Sequence, residues 1–558
     1  LKTDTENSLK ISLRLILGIL ACLILAAGAY FWATGLMDSV YAYRSPLHNQ
    51  PPAPELPIGK PVTRRVVFVL IDALREDTSK KTEVMPFLNE IRQRAASATM
   101  RSRPPSYSEP GYSVLLTGAW PDLSDGPTIN LDYDQIPTWT QDNLFSAAHR
   151  TGLKTAVSGY YWFQKLIPQD TVDVSFYTPG EDKAADRQVV DAALPWLQKG
   201  GAQLVLIHID QVDYAGHHEG GPRDPRWDAA AHRADDLLRE IAAQLDLTQD
   251  TLFVCSDHGQ IDRGGHGGQD PITLIEPFIL VGAGVQPGQY PDVSMVDVAP
   301  TLAALLGANL PASNQGNPLT GMLKLTAKQA SDVQTSLIKQ QKILLETYTA
   351  AMGSKANFQT GSDSVASTQA AMSQILNTRL NQERWPRFLL ALVIALVPAA
   401  LWLRKSKGVW PAGRLWLLAG ALLYILLYNL RYAVLSHRTY SLSSVGGATE
   451  LILYTAVTVA GCLFITWLGI AFTQKIFSKE PSAAANLVLD LTLTILYLLM
   501  LPVLFSYGYN GALVTWALPD FASMFVAFLS LIQILFVAIV GLVLCGITAG
   551  VAVFVQRR

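Results

Sequence analysis

The chain has 558 residues, 50% of them hydrophobic but only 16% charged, against the roughly 25% charged residues of a soluble domain, so composition points to membrane segments. With 43 Lys+Arg against 45 Asp+Glu and a formal net charge of -2, there is no basic field to hold a nucleic acid polymer. Three of the four cysteines, Cys22, Cys462 and Cys545, lie in long apolar runs, which argues against a disulfide framework and leaves the redox compartment unread.

Residues Ile11 to Leu36 are almost uncharged after Arg14, and at about 1.5 Å per residue they can cross a hydrocarbon core of about 30 Å. The run exceeds the roughly 7–15 residues of a signal-peptide core, and no small-residue cleavage site follows it, so it reads as an uncleaved signal anchor. "SPLHNQPPAPELPIGKP" (Ser45–Pro61) is proline-rich and reads as an extended linker. The texture then changes to short continuous apolar runs: "RRVVFVLID" (Arg64–Asp72), "AQLVLIHID" (Ala202–Asp210), "DTLFVCSD" (Asp250–Asp257) and "EPFILVG" (Glu276–Gly282). Helical patterns such as "DAAAHRADDLLREIAAQL" lie between them. Apolar strands alternating with helices predict an α/β fold with a mostly parallel sheet sandwiched between helices.

After Gly307, "KQASDVQTSLIKQQKILLETY" predicts an amphipathic helix and "GSKANFQTGSDSVAS" a connector. A further polar helix leads into the second apolar run. The C-terminal spans are expected at Phe388–Leu403, Leu415–Leu430, Leu451–Phe472, Leu487–Tyr509 and Ala522–Val555, the last over-long enough to tilt, bend near Gly541, Gly546 or Gly550, or protrude. No internal repeat of 20–50 residues is visible.

Orientation follows from Lys and Arg in the short flanks. Lys2, Lys10, Arg14, Arg404, Lys405, Lys407, Arg414, Lys475, Lys479, Arg557 and Arg558 all fall on one side of the six spans, against only Arg431 and Arg438 in the opposite short loops. Both termini are therefore expected in the cytoplasm and residues from about Met37 to Arg387 outside it. The expected plan is a tail and anchor over 1–40, a linker over 41–63, a catalytic domain over 64–325, a helical connector over 326–386 and a membrane domain over 387–558.

Ligands of open α/β sheets bind at the carboxyl ends of the strands. Asp72, Asp213 and Asp257 lie at or just beyond such ends. Taken alone, Asp72 reads most simply as a helix cap. Asp213 and His217 stand four residues apart in "DYAGHHEGGP", a segment equally suited to a turn or a helix, and His258 and His266 lie in "SDHGQIDRGGHGGQDP". Three carboxylates and three imidazoles suit zinc or manganese. They exceed the needs of one tetrahedral ion, so two ions are expected, about 3.5–4 Å apart as in two-metal phosphoryl transfer. In "RPPSYSEPGYSVLLTG", Ser108 precedes a helix-like run, and either it or Ser106 could instead cap that helix.

"VLIDALRED", "PPSYSEPGYSVLLTG", "HIDQVDYAGHHEGGP", "SDHGQIDRGGHGG" and "VDVAPTLAALLG" occur in that order, and together they resemble the alkaline phosphatase superfamily. Within it the chain looks most like the phosphodiesterase branch and the catalytic domain of GPI ethanolamine phosphate transferases, over about Arg64 to Leu319. The resemblance implies that Asp213, His217 and His266 hold one divalent ion and that Asp72, Ser108, Asp257 and His258 hold the other. It also makes Ser108, rather than Ser106, the nucleophile. Gly111 stands where nucleotide phosphodiesterases commonly carry asparagine, which leaves one phosphate contact unassigned, while Tyr112 occupies the arginine position of a sulfatase pattern and argues against that activity.

The implied activity is transfer of phosphoethanolamine through a phospho-seryl intermediate. The donor it implies is a membrane lipid such as phosphatidylethanolamine, and the implied acceptor is lipid-linked or a glycan. The alternative is a tethered phosphodiesterase or nucleotide pyrophosphatase with water as acceptor. A catalytically inert domain is disfavoured because all seven metal and nucleophile positions are filled. Arg431, His437 and Arg438 are candidates for headgroup contact or simple interfacial anchoring, Asp490 is expected near the cytoplasmic interface, and Asp262 and Arg263 form the exposed tip of the histidine loop.

Overall fold

The computed structural model describes residues 13–355, 364–404 and 412–557. Lys2, Lys10, Lys405, Lys407 and Arg558 of the charge argument, and residues 356–363 of the expected connector, lie outside the described residues. The chain begins its described course with helix α1 (Leu13–Tyr41), followed by the extended proline-rich segment.

Nine strands then form one sheet: β1 (Arg65–Ile71), β2 (Ala96–Arg101), β3 (Thr155–Tyr160), β4 (Val174–Thr178), β5 (Leu204–Ile209), β6 (Asp250–Cys255), β7 (Ile275–Gly282), β8 (Gly288–Gln289) and β9 (Val293–Ser294). Their order is β4-β3-β5-β1-β6-β7-β2-β8, with β9 beside β2. Strand β1 is central, in parallel register with β5 (Val66 opposite Leu204) and with β6 (Val66 opposite Thr251). Its side chains alternate between two cores: Val66, Phe68 and Leu70 enter one, Val67, Val69 and Ile71 the other. That is why "RVVFVLI" is apolar throughout rather than at every second position, since both faces of the sheet are covered.

The expected strand over "EPFILVG" is present as β7, but it runs antiparallel to both β6 and β2. No crossover helix separates β6 from β7; the chain turns back through the glycine-rich loop, and a connection without a crossover returns antiparallel.

The helices around the sheet include α2 (Ser108–Thr117), α3 (Lys183–Lys199), α4 (Gln211–His218), α5 (Pro225–Ala242) and α6 (Val298–Leu306). Helix α3 is capped by Asp182, which accepts from Ala184 N and Ala185 N, and ends at Gly200 in the left-handed region. Helix α5 buries Trp227, Ala230, Ala231, Ala234, Leu238 and Ile241 on one face, the spacing of an amphipathic helix lying on a sheet.

Beyond the sheet come α7 (Ala327–Ala351), α8 (Val365–Arg404), α9 (Ala412–Asn429), α10 (Ala448–Thr473), α11 (Pro481–Asn510) and α12 (Phe521–Gln556). Six of the described helices, α1 and α8 to α12, are long and apolar enough to cross a membrane, and the chain is a multi-pass membrane protein. The polar helix expected before the second span and that span itself are one continuous helix, α8, with Pro386 inside it near the change from polar to apolar sequence. The third span continues past the expected Leu430 in a π-helical turn, Leu430–Leu435. Helix α12 is unbroken through Gly541, Gly546 and Gly550. Asp490 has a partner: Arg14 of α1 donates to both its carboxylate oxygens at 2.6 and 2.7 Å.

The sheet sits against one end of the helical bundle. Tyr43 Oη donates to Asp122 O (3.0 Å), Thr128 Oγ1 to Val40 O (2.7 Å), and Arg263 Nη2 to Ser444 O (2.7 Å) in the loop between α9 and α10. Ile129 and Tyr107 pack into the core of the membrane helices. The two halves therefore meet close to Ser108.

Candidate active site

The carboxyl ends of the adjacent strands β5, β1 and β6 supply the site. Directly after β1 the backbone turns sharply: Ala73 has φ +59°, a conformation few non-glycine residues adopt. Asp72 does not cap the short helix that follows, whose cap residue is Arg75. It points instead into a buried cluster, where Tyr112 Oη donates to its Oδ2 and His208 Nε2 lies 3.0 Å from the same oxygen. Ala73 N donates to Asp257 Oδ1 (3.3 Å), which ties the end of β1 to that of β6.

Asp213 and His217 lie on α4, so the ambiguous segment is a helix whose four-residue spacing puts both on one face. His217 Nε2 is 3.5 Å from Asp213 Oδ2, and His266 Nε2 is 3.5 Å from Asp213 Oδ1. The two histidine nitrogens stand 2.8 Å apart. His258 Nε2 lies 3.4 Å from both Asp72 Oδ1 and Asp257 Oδ2, and its ring stacks on that of His266 with centroids 4.0 Å apart. All seven residues expected from the sequence are thus brought into one neighbourhood. The ligand atoms of Asp213, His217 and His266 lie within 4.8 Å of one another, as do those of Asp72, Asp213 and His258.

Ser108 is the first residue of α2 and 4% exposed; its Oγ lies 3.1 Å from His258 Nε2. Ser106 is otherwise engaged: its Oγ donates to Gly268 O (2.9 Å), accepts from Gly267 N (3.0 Å) and meets Thr273 Oγ1 (3.0 Å). Ser106 therefore fastens the glycine loop. Gly111 allows α2 to lie directly on Asp257, because a Cβ there would stand 2.8 Å from Asp257 Cβ and 3.0 Å from its carbonyl oxygen. Gly111→Ala is expected to displace Asp257 or the helix bearing Ser108 and to lower turnover by about 10- to 100-fold, the scale of an ångström-level misplacement. Initial rates at equal folded protein would check this, and an unimpaired enzyme would mean that the helix can retreat freely.

The electrostatics match a place built for cations. Burial, reinforced by the neighbouring Asp72 charge, holds Asp257 well above the usual carboxylate range, and burial raises Asp213. Burial also opposes ionisation of Asp72, but the His208 hydrogen bond, the His258 charge and the Tyr112 hydroxyl hold it below its ordinary value. Burial and two neighbouring histidines depress His266 far below its usual value, leaving a neutral imidazole with a lone pair to offer. Asp72 Oδ1 and Asp257 Oδ2 are buried without a hydrogen-bond partner. Unsatisfied buried carboxylate oxygens beside imidazole nitrogens fit a divalent cation.

Glu109, next to Ser108, is fully buried, and burial raises its pKa to about 9. It is neutral at pH 7 and accepts from Leu131 N (3.3 Å). Because its folded pKa lies above the ordinary 4.5, the protein loses stability as pH rises from about 4.5 towards 9. Glu109→Gln, which copies the protonated form, is expected to show little change in thermal midpoint at pH 5 and a growing advantage over wild type towards pH 9. Thermal unfolding in detergent across that range checks it; an advantage that shrinks with pH would contradict the assignment.

The sequence did not disclose four further residues. His208 and Tyr112 both reach Asp72. Gln260 Nε2 donates to Asp213 Oδ1 (2.7 Å) and its Oε1 accepts from Gly265 N (2.9 Å). Asn130 Oδ1 accepts from Glu109 N (3.1 Å) at the start of α2. His208 sits two residues before Asp210 on an apolar strand, a usable signal; nothing local marks Asn130, which arrives from a loop. Asp262 and Arg263 are exposed, yet both are tethered. Asp262 Oδ1 accepts from Arg75 Nη1 (2.8 Å), and Arg263 reaches the loop between α9 and α10. In that loop Arg438 is buried and pairs with Glu450, an anchoring role, whereas Arg431 is exposed.

Residues 66–268 match the family model described as type I phosphodiesterase / nucleotide pyrophosphatase. Over 299 residues the chain is 28% identical to the catalytic subunit of human GPI ethanolamine phosphate transferase 2, covering 48% of this chain and 30% of that protein. It is 25% identical over 314 residues to GPI ethanolamine phosphate transferase 2 of Aspergillus fumigatus, covering 51% and 41% respectively. With the catalytic subunit of mouse GPI ethanolamine phosphate transferase 3 it shares 25% identity over 339 residues, covering 53% and 30%. The chain spans less than half the length of each of these relatives.

Proposed function

We infer that this chain, whose residues 66–268 match the type I phosphodiesterase / nucleotide pyrophosphatase model, is an alkaline phosphatase superfamily enzyme that transfers phosphoethanolamine to a lipid or glycan acceptor outside the cytoplasm. The observation that carries this reading is the placement of Ser108. It opens a buried helix, 3.1 Å from His258, beside the carboxylates and imidazoles of three strand ends and against the membrane helices. A site pressed against the bundle suits a donor that stays in the bilayer, such as phosphatidylethanolamine. The side of the membrane follows from the Lys and Arg bias of the short loops.

Asp213, His217 and His266 would hold one divalent ion and Asp72, Ser108, Asp257 and His258 another, zinc or manganese, whose charge acidifies hydroxyls and offsets phosphoryl charge. Tyr112, His208 and Gln260 orient the carboxylates, each by the hydrogen bonds described above, as outer partners of ligands commonly do. Ser108 Oγ forms a bond to the donor phosphorus while the bond to the diglyceride oxygen breaks, and the serine proton ends on the released alcohol. The acceptor hydroxyl oxygen then bonds to phosphorus, the Ser108 Oγ–P bond breaks, and the acceptor's proton returns to Ser108. Asn130 and Glu109 N fix the helix start so that Oγ keeps its place through both displacements.

The match at residues 66–268 equally favours a second reading in which water takes the acceptor's place. The two are separated by giving the purified full chain, in vesicles, phosphatidylethanolamine labelled in its ethanolamine, a lipid-linked glycan acceptor, and a nucleotide diester. Transfer of label to the acceptor is expected. Rapid diester hydrolysis with no movement of headgroup would overturn the transferase reading.

A further inference from the structure

Where α1 ends, its last turn faces the segment that follows Ile129, and between them lies an open cavity of about 470 Å³. Its walls include Asp38, Tyr41, Arg44, Asn130, Asp132 and Gln135. We propose that this cavity is the subsite for the ammonium group of the donor's ethanolamine, with Asp38 and Asp132 as its carboxylates; the proposal rests on the transferase reading above and names what that site recognises.

Position is the first argument. Asn130, on the cavity wall, accepts the backbone N–H of Glu109, and Leu131 N donates to the Glu109 side chain (3.3 Å). The wall is therefore fastened to the residue after the nucleophile. A phosphodiester engaged at Ser108 carries its ammonium only two carbons beyond the ester oxygen, so a subsite for it has to adjoin the start of α2.

Charge is the second argument. Two carboxylates and one guanidinium line the cavity, a net excess of one negative charge. Among the described residues, neither Asp38 nor Asp132 makes a side-chain hydrogen bond or ion pair, and Arg44 donates only to the carbonyl of Tyr43 (3.4 Å). The arrangement is bipolar, as a zwitterionic phosphoethanolamine head requires: carboxylates for the ammonium, Arg44 and Asn130 on the same walls for phosphate oxygens.

The placement of Asp38 is the third. It is the only acidic residue of α1 and stands in its final turn, where the helix dipole already presents negative partial charge and a cation is the favoured side chain. Asp38 is exposed, so the dipole acts on it only weakly, and a cation held against it would offset that small cost. An ammonium bound in the cavity supplies that cation, and α1 then contributes to substrate choice as well as anchoring.

The test uses the full chain in nanodiscs with phosphatidylethanolamine and with phosphatidylethanol, which keeps the phosphodiester and lacks the ammonium. Wild type is expected to prefer phosphatidylethanolamine in kcat/KM. In Asp38→Asn, Asp132→Asn and the double variant that ratio is expected to fall, by at least about tenfold in the double variant, equivalent to about 1.4 kcal/mol. The loss is expected mainly in KM. An unchanged ratio, even if both rates drop, overturns the proposal, since damage to the fold would reduce both lipids alike. If wild type uses neither lipid, the donor assignment fails separately, and inhibition of soluble diester hydrolysis decides the cavity. Glycerophosphoethanolamine inhibiting more strongly than its ethyl analogue, with that difference lost in the double variant, supports the ammonium subsite; equal inhibition in wild type overturns it.

Discussion

Ser108→Ala is expected to stop the reaction and to leave the protein folded. In the proposed mechanism Oγ is the atom that bonds to phosphorus, and no nearby hydroxyl is free to replace it. Ser106 is held by Gly267, Gly268 and Thr273, and the Tyr112 hydroxyl is committed to Asp72. Loss of a nucleophile from a two-step transfer lowers turnover by at least about 10³-fold. Little stability should go with it, because Ser108 Oγ makes no helix-capping hydrogen bond and its one described contact is the 3.1 Å approach to His258. The loss of one such hydrogen bond costs about 1 kcal/mol. With phosphatidylethanolamine labelled in its ethanolamine and no acceptor, wild type should carry label through denaturing electrophoresis and Ser108→Ala should not. Label on both proteins would move the nucleophile elsewhere, and a rate loss with unaltered labelling would make Ser108 a positioning residue.

The sequence disclosed the centre of the sheet because strands covered on both faces must be apolar at every position. "RVVFVLI", "LVLIHI" and "DTLFVC" become β1, β5 and β6, and each delivers an acidic residue at its carboxyl end. The direction of β7 was not legible. It depends on whether the chain crosses over or doubles back after Cys255, and the glycine-rich loop that doubles back carries no hydrophobic period. The seven expected site residues do converge, since strand-end chemistry is a local signal. Residues whose role comes from another part of the chain were hidden. Asn130 reaches the start of α2 from a loop, and Ser441 and Ser443 of the membrane half meet the histidine loop, where Gly268 N donates to Ser443 Oγ (3.0 Å) and Gln269 N to Ser441 Oγ (3.3 Å). The glycines of "RGGHGG" thus admit more than tight turns. A Cβ on Gly265 would collide with Ser443 O and one on Gly268 with Ser441 Oγ, so they also let the membrane loop lie against the site.

Removing divalent metal is expected to abolish activity and to lower stability together. Asp72, Asp213 and Asp257 are held close to one another by the fold whether or not a cation is present, and Asp72 Oδ1 and Asp257 Oδ2 have no protein donor to satisfy them. Unpaired buried carboxylates cost several kcal/mol, and a cation bound only by the folded state adds about 2.7 kcal/mol when present at about 100 times its Kd. Chelation should therefore lower the thermal midpoint, silence the enzyme, and be reversed by zinc or manganese. Two ions per chain are expected by elemental analysis. His217→Ala should reduce the content towards one by weakening the Asp213–His217–His266 set, and Asp257→Asn should do so through the other set. The pairing matters because Asp213 also lies within reach of Asp72 and His258, so Asp213→Ala should cost more metal than His217→Ala. Full activity after exhaustive chelation, or one ion per chain at saturation, would reject the two-ion site.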